Sequence, residues 1–336
     1  MSTPDQPRPA RIAEVAAAAG VSRATVSRVM NGLATVDPAI AERVRSAAAS
    51  LDYRPSEIAR NLSLGRTHTV AVVVPDLGNP MFQAILRGVT RAAAEDGYRV
   101  LVGDTQETAQ AEPDAAVQAR RRCDALILCA PRMSDERLAR IVGETAPVAL
   151  INRIVAQDAV PQVAMNYAQA VNLVVDHLVD LGHRHLVYLG GPVTSASNRL
   201  RIAGLDAAQA RLPGLTIDRR TVGSSLDDGF SSAEAVLETG ATGVLAFNDL
   251  TALGLLSRLR ELGVDVPGRL SVVGVDDIPY ARFSEPTLTT VSVPQDDLGV
   301  DAWRRLRLAI DGRAVPGPLW LEGALRQRES SGPAPR

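Results

Sequence analysis

From Thr69 onward the chain repeats one pattern. The runs TVAVVVP, YRVLVGD, DALILCA, PVALIN, HLVYLGG, GVLAF and LSVVGV are short and continuously apolar. That is the signature of parallel strands covered on both faces. Between them lie helical stretches such as MFQAILRGVTRAAAED, YAQAVNLVVDHLVDLG and DLTALGLLSRLRELG. This βαβ alternation continues over about 260 residues, more than one sheet accommodates, so it predicts two doubly wound lobes. Only 3% of the residues are aromatic while 46% are apolar, so the core must be aliphatic and alanine-rich. One link is weak: ETAQAEPDAAVQARRR has few large apolar residues and a Pro, and a frayed helix is expected there. No apolar run is long enough to span a membrane, and MSTPDQPRPAR lacks a signal-peptide core, so a cytoplasmic protein is expected.

The first residues follow a different period. Ile12, Val15 and Ala16 fall on one face of a first helix, which Gly20 can stop in the left-handed conformation. Ser22 is a suitable N-cap for a second helix with Val26, Val29 and Met30 on its inner face. Asn31-Gly32 signals a turn, and Asp37-Pro38 opens a third helix with the stripe Ile40, Val44, Ala47, Ala48 and Leu51. Arg23, Ala24, Thr25, Ser27 and Arg28 are left outward, a small, hydroxylated and cationic face that suits a DNA major groove. The same spacing also fits an ordinary helical hairpin with a polar face. Residues 1–66 hold nine Arg against six carboxylates and the remainder 27 against 32, a basic head on an acidic body. Tyr53-Arg54-Pro55-Ser56 ends the third helix, and SEIARNLSLGRT reads as a linker with Ile58, Ala59 and Leu62 on one face.

In open α/β lobes ligands bind beyond the carboxyl ends of the strands. The polar residues there are Asp76 to Phe82, Asn152-Arg153, Asn248-Asp249 and Asp276-Asp277, with Cys129 among them and Arg199 and Arg201 in the helix start SNRLRIAG. A planar Arg donor facing Asn and Asp acceptors suits a polyhydroxylated ligand, whose hydroxyls both donate and accept. The competing reading is that these residues cap helices, as expected for Asp249 and Asp277. No G-x-S-x-G, P-loop, G-x-G-x-x-G or H-E-x-x-H motif is present, so no enzyme class is supported. His183 and His185 sit at a strand start without a metal-site pattern. Cys123 and Cys129 are too few for a disulfide framework or zinc site and read as buried thiols.

The stretch GVSRATVSRVMNG resembles the recognition-helix signature of the LacI/GalR family of bacterial transcription regulators, and similarity extends along nearly the whole chain. The resemblance implies an α/β protein: a three-helix helix-turn-helix domain at 1–54, a hinge helix and linker at 55–67, and a two-lobed periplasmic-binding-protein-like core at 68–330. Lobe one would hold 68–181 and 296–313, lobe two 182–295 and 314–330, with 331–336 a tail. DNA contacts fall on Ser22, Arg23, Ala24, Thr25, Ser27, Arg28, Asn31, Tyr53, Ser56, Ala59 and Leu62, the last at the position of the family's intercalating leucine. Arg11 replaces the usual Thr cap of the first helix, and Ser56 the usual Asn. The effector trio would be Arg201, Asn248 and Asp276, with Asn79, Phe82, Cys129, Asn166 and Gln295 around it; many relatives have Asp where this chain has Asn166.

The implied function is a sequence-specific DNA-binding repressor. It would bind a near-palindromic double-stranded operator as a homodimer paired through lobe one, under control of a small polar effector, a sugar or sugar derivative. No cofactor, metal, membrane or enzymatic role is expected, and no heptad extension follows SSGPAPR, which favours a dimer over a tetramer. A solute-binding protein or a sugar-converting enzyme could use the same core, but the helix-turn-helix head and the missing catalytic set argue against them.

Overall fold

The computed structural model of the chain describes residues 10–30, 36–53, 66–156 and 160–336. It divides into two compact units, 1–68 and 69–336.

In the first unit, α1 (Ile12–Ala19), α2 (Arg23–Met30) and α3 (Pro38–Ser50) enclose a small aliphatic core of Val15, Ala16, Ala19, Val26, Val29, Ala41, Val44 and Ala48. Helix α1 stops at Gly20, whose φ of 64° is the left-handed cap expected of it. The Arg11 position has no acceptor to offer. Its own N–H instead donates to the Glu14 carboxylate at 2.7 Å, so half of a capping box survives. Ser22 caps α2 by accepting the Thr25 N–H at 3.1 Å, and Asp37 caps α3 with Pro38 in the first turn. The stripe on α3 is shifted from the sequence expectation: Ala41 is buried, whereas Leu51 follows the helix and is exposed.

The second unit holds two six-stranded sheets. The first has the order β11-β5-β4-β3-β1-β2, from β1 (Thr69–Val74), β2 (Arg99–Asp104), β3 (Ala125–Cys129), β4 (Val148–Ile151), β5 (Gln162–Met165) and β11 (Leu319–Leu321). The second is β12-β10-β9-β8-β6-β7, from β6 (His185–Gly190), β7 (Thr216–Thr221), β8 (Gly243–Ala246), β9 (Ser271–Asp276), β10 (Thr289–Ser292) and β12 (Ala324–Arg326). All pairings are parallel except β10 with β12. The helices α4 (Pro80–Glu95), α5 (Glu112–Arg120), α6 (Asp135–Thr145), α7 (Tyr167–Asp180), α8 (Ala196–Arg211), α9 (Leu226–Ser231), α10 (Ala233–Glu238), α11 (Asp249–Glu261) and α12 (Gln295–Ile310) cover the sheets. Helix α5 forms despite its weak pattern, anchored by a buried Glu112 that accepts the N–H groups of Arg132 and Met133.

The chain changes lobe at places other than those expected from sequence. Helix α7 packs on α8 and the second sheet, so the first change follows β5, not residue 181. Helix α12 returns to pack on α4 and the first sheet. Strand β11, expected in the second lobe, pairs with β5 because the chain has not yet crossed back; it does so before β12. Residues 331–336 are not a loose tail. Ser331 is buried, His183 meets the Gly332 carbonyl at 3.0 Å, and the Ala334 N–H donates to the Leu181 carbonyl.

Two glycines permit the α4–α12 crossing. A Cβ at Gly88 would lie 2.2 Å from the Asp296 carbonyl oxygen, and one at Gly299 2.2 Å from that of Ile85. Strand β2 is an edge strand, so Leu101 and Val102 are exposed rather than buried as its apolar letters suggest.

Candidate functional site

On the head, Arg23, Ala24 and Arg28 are exposed and Thr25 and Ser27 half-buried, one face of α2. The Ser22 and Thr25 hydroxyls are 3.0 Å apart, so capping and the outward face share one side chain. Tyr53 is half-buried against the head core, its N–H held by the Ala48 carbonyl, and burial pushes its phenol up. Asn31, Ser56, Ala59 and Leu62 lie outside the described residues.

In the core, the carboxyl ends of both sets of strands border one cleft, lined from the two lobes by Asn79, Phe82, Arg201, Phe247, Asn248 and Asp276 among others. Arg201 on α8 is its centre, and it is 2% exposed. Its guanidinium carbon lies 3.9 Å from the Tyr167 ring centroid and 4.3 Å from that of Phe247. The two aromatic faces hold the cation without consuming its N–H donors. Nη1 donates to the Ser197 carbonyl at 3.2 Å, while the buried Nε has no partner. Phe247 is fixed in turn by Gly191, where a Cβ would sit 2.6 Å from the ring.

Asp276, the last residue of β9, is 2% exposed, and its Oδ1 is likewise buried without a partner. Burial lifts its carboxyl to about 7, against the pull of Arg201. Its backbone has φ 123°, a region that non-glycine residues rarely occupy. The surroundings hold it there. The Gln295 amide donates to the Asp276 carbonyl at 2.6 Å, and the buried Asp249 accepts the Ile278 N–H at 2.8 Å and the Thr290 hydroxyl at 2.5 Å. Burial and the neighbouring Asp276 push Asp249 well above the usual carboxylate range. Asp277 turns away to Arg328, at 2.6 Å.

The other expected residues divide. Asn79 and Phe82 line the cleft from α4, Asn79 also capping that helix through the Met81 N–H at 2.9 Å. Asn248 lines it too, but its amide is committed to the fold: Oδ1 accepts the Thr251 N–H and Nδ2 donates to the Ser224 carbonyl, both at 2.9 Å. Three residues do not line it. Cys129 points into the core, where burial pushes its thiol up to about 12; Asn166 caps α7 through the Gln169 N–H; Gln295 supports Asp276 from behind. Arg153 is buried on the loop after β4, bound to Asp135 at 2.6 Å and to the carbonyls of Pro131 and Met133.

Sequence reading missed Tyr167, Phe247, Ser197, Ser224 and the ion pair Glu107–Arg132, all lining the cleft. Phe247 was within reach, since it immediately precedes Asn248 at a strand end. Tyr167 follows β5, a strand that was not anticipated.

Residues 11–56 match the model for bacterial regulatory proteins of the lacI family, and residues 175–331 that for a periplasmic binding protein-like domain. The HTH-type transcriptional regulator GalS of Salmonella typhimurium is 34% identical over 290 residues, 84% of this chain and 85% of its own length. The chain belongs to the LacI family. The HTH-type transcriptional regulator GalR of Escherichia coli is 33% identical over 313 residues, 91% of each chain. Among solved structures, the lac repressor dimer bound to operator and the anti-inducer ONPF superposes with a TM-score of 0.84 at 28% identity, covering 97% of this chain and all of that one. The CelR–cellobiose complex gives 0.71 at 28% identity over 96% of this chain and all of that one. This LacI-family member is thus a helix-turn-helix transcriptional regulator with a two-lobed core. No helix among the described residues is long and apolar enough to cross a membrane.

Proposed function

We propose that this regulator represses transcription by binding a near-palindromic operator as a cytoplasmic homodimer, and that a small polyhydroxylated effector, a sugar or sugar derivative, sets its DNA affinity from the cleft. The observation that carries the effector reading is the pair of orphaned buried atoms, Arg201 Nε and Asp276 Oδ1, on two residues that line the same cavity. A buried donor and a buried acceptor without partners are costly unless something completes them. A hydroxyl can accept from one and donate to the other. Phe82 offers the apolar wall that a sugar's C–H face needs. The related structures of lac repressor with ONPF and of CelR with cellobiose fit such a ligand.

The residues assigned to DNA are Arg23, Ala24, Thr25, Ser27 and Arg28 on α2, with Ser22 at its cap. Tyr53, Asn31, Ser56, Ala59 and Leu62 are assigned by the family resemblance. Two protomers would place their recognition helices about one DNA turn, roughly 34–36 Å, apart. Arg201, Asp276 and Asn248 come from one lobe, Asn79 and Phe82 from the other. A ligand touching both favours one arrangement of the lobes, and a coupling of about 1–3 kcal/mol is enough to change operator occupancy. No step of this role is chemical, so the protein is proposed not to be an enzyme.

The test is a titration of a panel of neutral sugars into the wild-type protein and Arg201→Ala. A sugar that binds wild type, changes its operator affinity and is lost in Arg201→Ala supports the reading. Equal binding to both proteins sinks it.

A further inference from the structure

Four charged side chains line the cleft: Arg201, Asp276, Arg132 and Glu107. The last two are absorbed by each other. Arg132, on the loop after β3, donates from Nε to Glu107 Oε2 at 2.6 Å and from Nη2 to Oε1 at 2.8 Å, a two-pronged pair. Its side chain is 3% exposed and that of Glu107 27%. The backbone that carries it is anchored as well: the main-chain N–H groups of Arg132 and Met133 donate to the buried Glu112 carboxylate at 2.7–2.8 Å. Glu107 is held with equal care. It and Gln106 have φ of 55° and 50°, left-handed values for non-glycine residues, and the Glu107 N–H donates to the Pro75 carbonyl at 2.6 Å. Backbone strain is thus retained where it places this carboxylate on this fork.

A planar guanidinium fork is the side chain that best captures a phosphate or carboxylate. In this cleft that fork is already filled. Arg201 is a poorer anion fork, since its Nη1 already donates to the Ser197 carbonyl and the Asp276 carboxyl beside it repels a second anion. We propose that Glu107 is a built-in anion that occupies the Arg132 fork and so restricts the cleft to uncharged polyhydroxylated effectors, excluding sugars that carry a phosphate or a carboxylate. This specificity role rests on the reading of the cleft as the effector site.

The experiment compares wild type, Glu107→Gln and the double variant Glu107→Gln/Arg132→Gln by calorimetric titration and thermal melting. The probes are inorganic phosphate, D-glucose 6-phosphate and D-glucuronate. Glutamine keeps one acceptor for Arg132, and the melting curve without ligand reports that the variants fold. Wild type should take none of the three measurably. Glu107→Gln should bind them at least about tenfold more tightly, with the gain lost in the double variant. A gain for the sugar anions alone would place the sugar ring in the same cleft; a gain for free phosphate as well would mark the anion as the main determinant. Both support the proposal. It is overturned if wild type binds the anions as tightly as Glu107→Gln does, or if the gain survives in the double variant. Failure of the cleft reading looks different: neutral sugars would leave wild type unshifted while the Glu107→Gln gain for phosphate still appeared.

Discussion

Arg201 sits with its guanidinium carbon 3.9 Å above the ring of Tyr167, a cation held in a dry pocket by aromatic faces with a donor to spare. Arg201→Ala should therefore weaken effector binding by about 2–5 kcal/mol, part of it the cost of leaving Asp276 without its countercharge. Arg201→Lys should recover little, because an ammonium neither stacks in the same way nor offers a planar fork. Titration with the best-binding sugar checks both, and unchanged affinity in either protein would refute the assignment.

If Asp276 accepts from the effector as proposed, its carboxyl should make that binding pH-dependent. Its folded value near 7 lies above the ordinary carboxylate range of about 3.9. The folded protein thus holds this proton where the unfolded chain has lost it. That contribution to stability is full below about 3.9 and is lost as pH rises through 7. Ligand binding runs the opposite way, because the ionised carboxylate is the better acceptor. Affinity should rise as pH rises through 7, by up to about tenfold per unit below it. Asp276→Asn should flatten the profile. A wild-type affinity constant from pH 6 to pH 8 would contradict this.

Recognition of DNA should separate cleanly from the cleft. Arg28 is exposed on α2, away from the head core. Arg28→Ala is expected to lower operator affinity, and if its partner is a phosphate, to reduce the slope of log K against log salt by about one. Effector affinity should be unchanged. A matched loss in both would mean that the substitution damages the fold.

The helix crossing behind the cleft is a steric constraint. Gly299→Ala would drive a methyl to 2.2 Å from the Ile85 carbonyl oxygen. Helices α4 and α12 must then separate, at about 1–3 kcal/mol or more. A urea unfolding midpoint equal to wild type would show that the helices yield without cost.

Much of this was legible in the letters. The seven apolar runs all became strands, and Gly20, Ser22 and Asp37 cap the helices they were expected to cap. The strands that escaped notice were polar or short. Thr216–Thr221 is an exposed edge, and Leu319–Leu321 and Ala324–Arg326 have three residues each. Thr289–Ser292 is nearly all buried, but its polar letters are neutralised by partners no local pattern predicts: Asp249 takes the Thr290 hydroxyl, and Ser331 meets that of Thr289. The same limit applies to the site. Asp276 is legible from its place at a strand end, and Arg201, inside the helix start SNRLRIAG, from the family resemblance. Glu107 and Arg132, 25 residues apart, pair only because β2 and β3 both flank β1 and so bring their following loops together.

The most direct test joins the two units. Random duplexes are selected on the full-length protein, and the enriched site is then titrated with and without the best-binding sugar. Wild type, Arg201→Ala and Asp276→Asn are compared. The account predicts a near-palindromic site whose affinity for wild type changes when sugar is added, and variants that bind the same site but no longer respond. No enriched duplex with or without sugar, or variants that respond as wild type does, would contradict it.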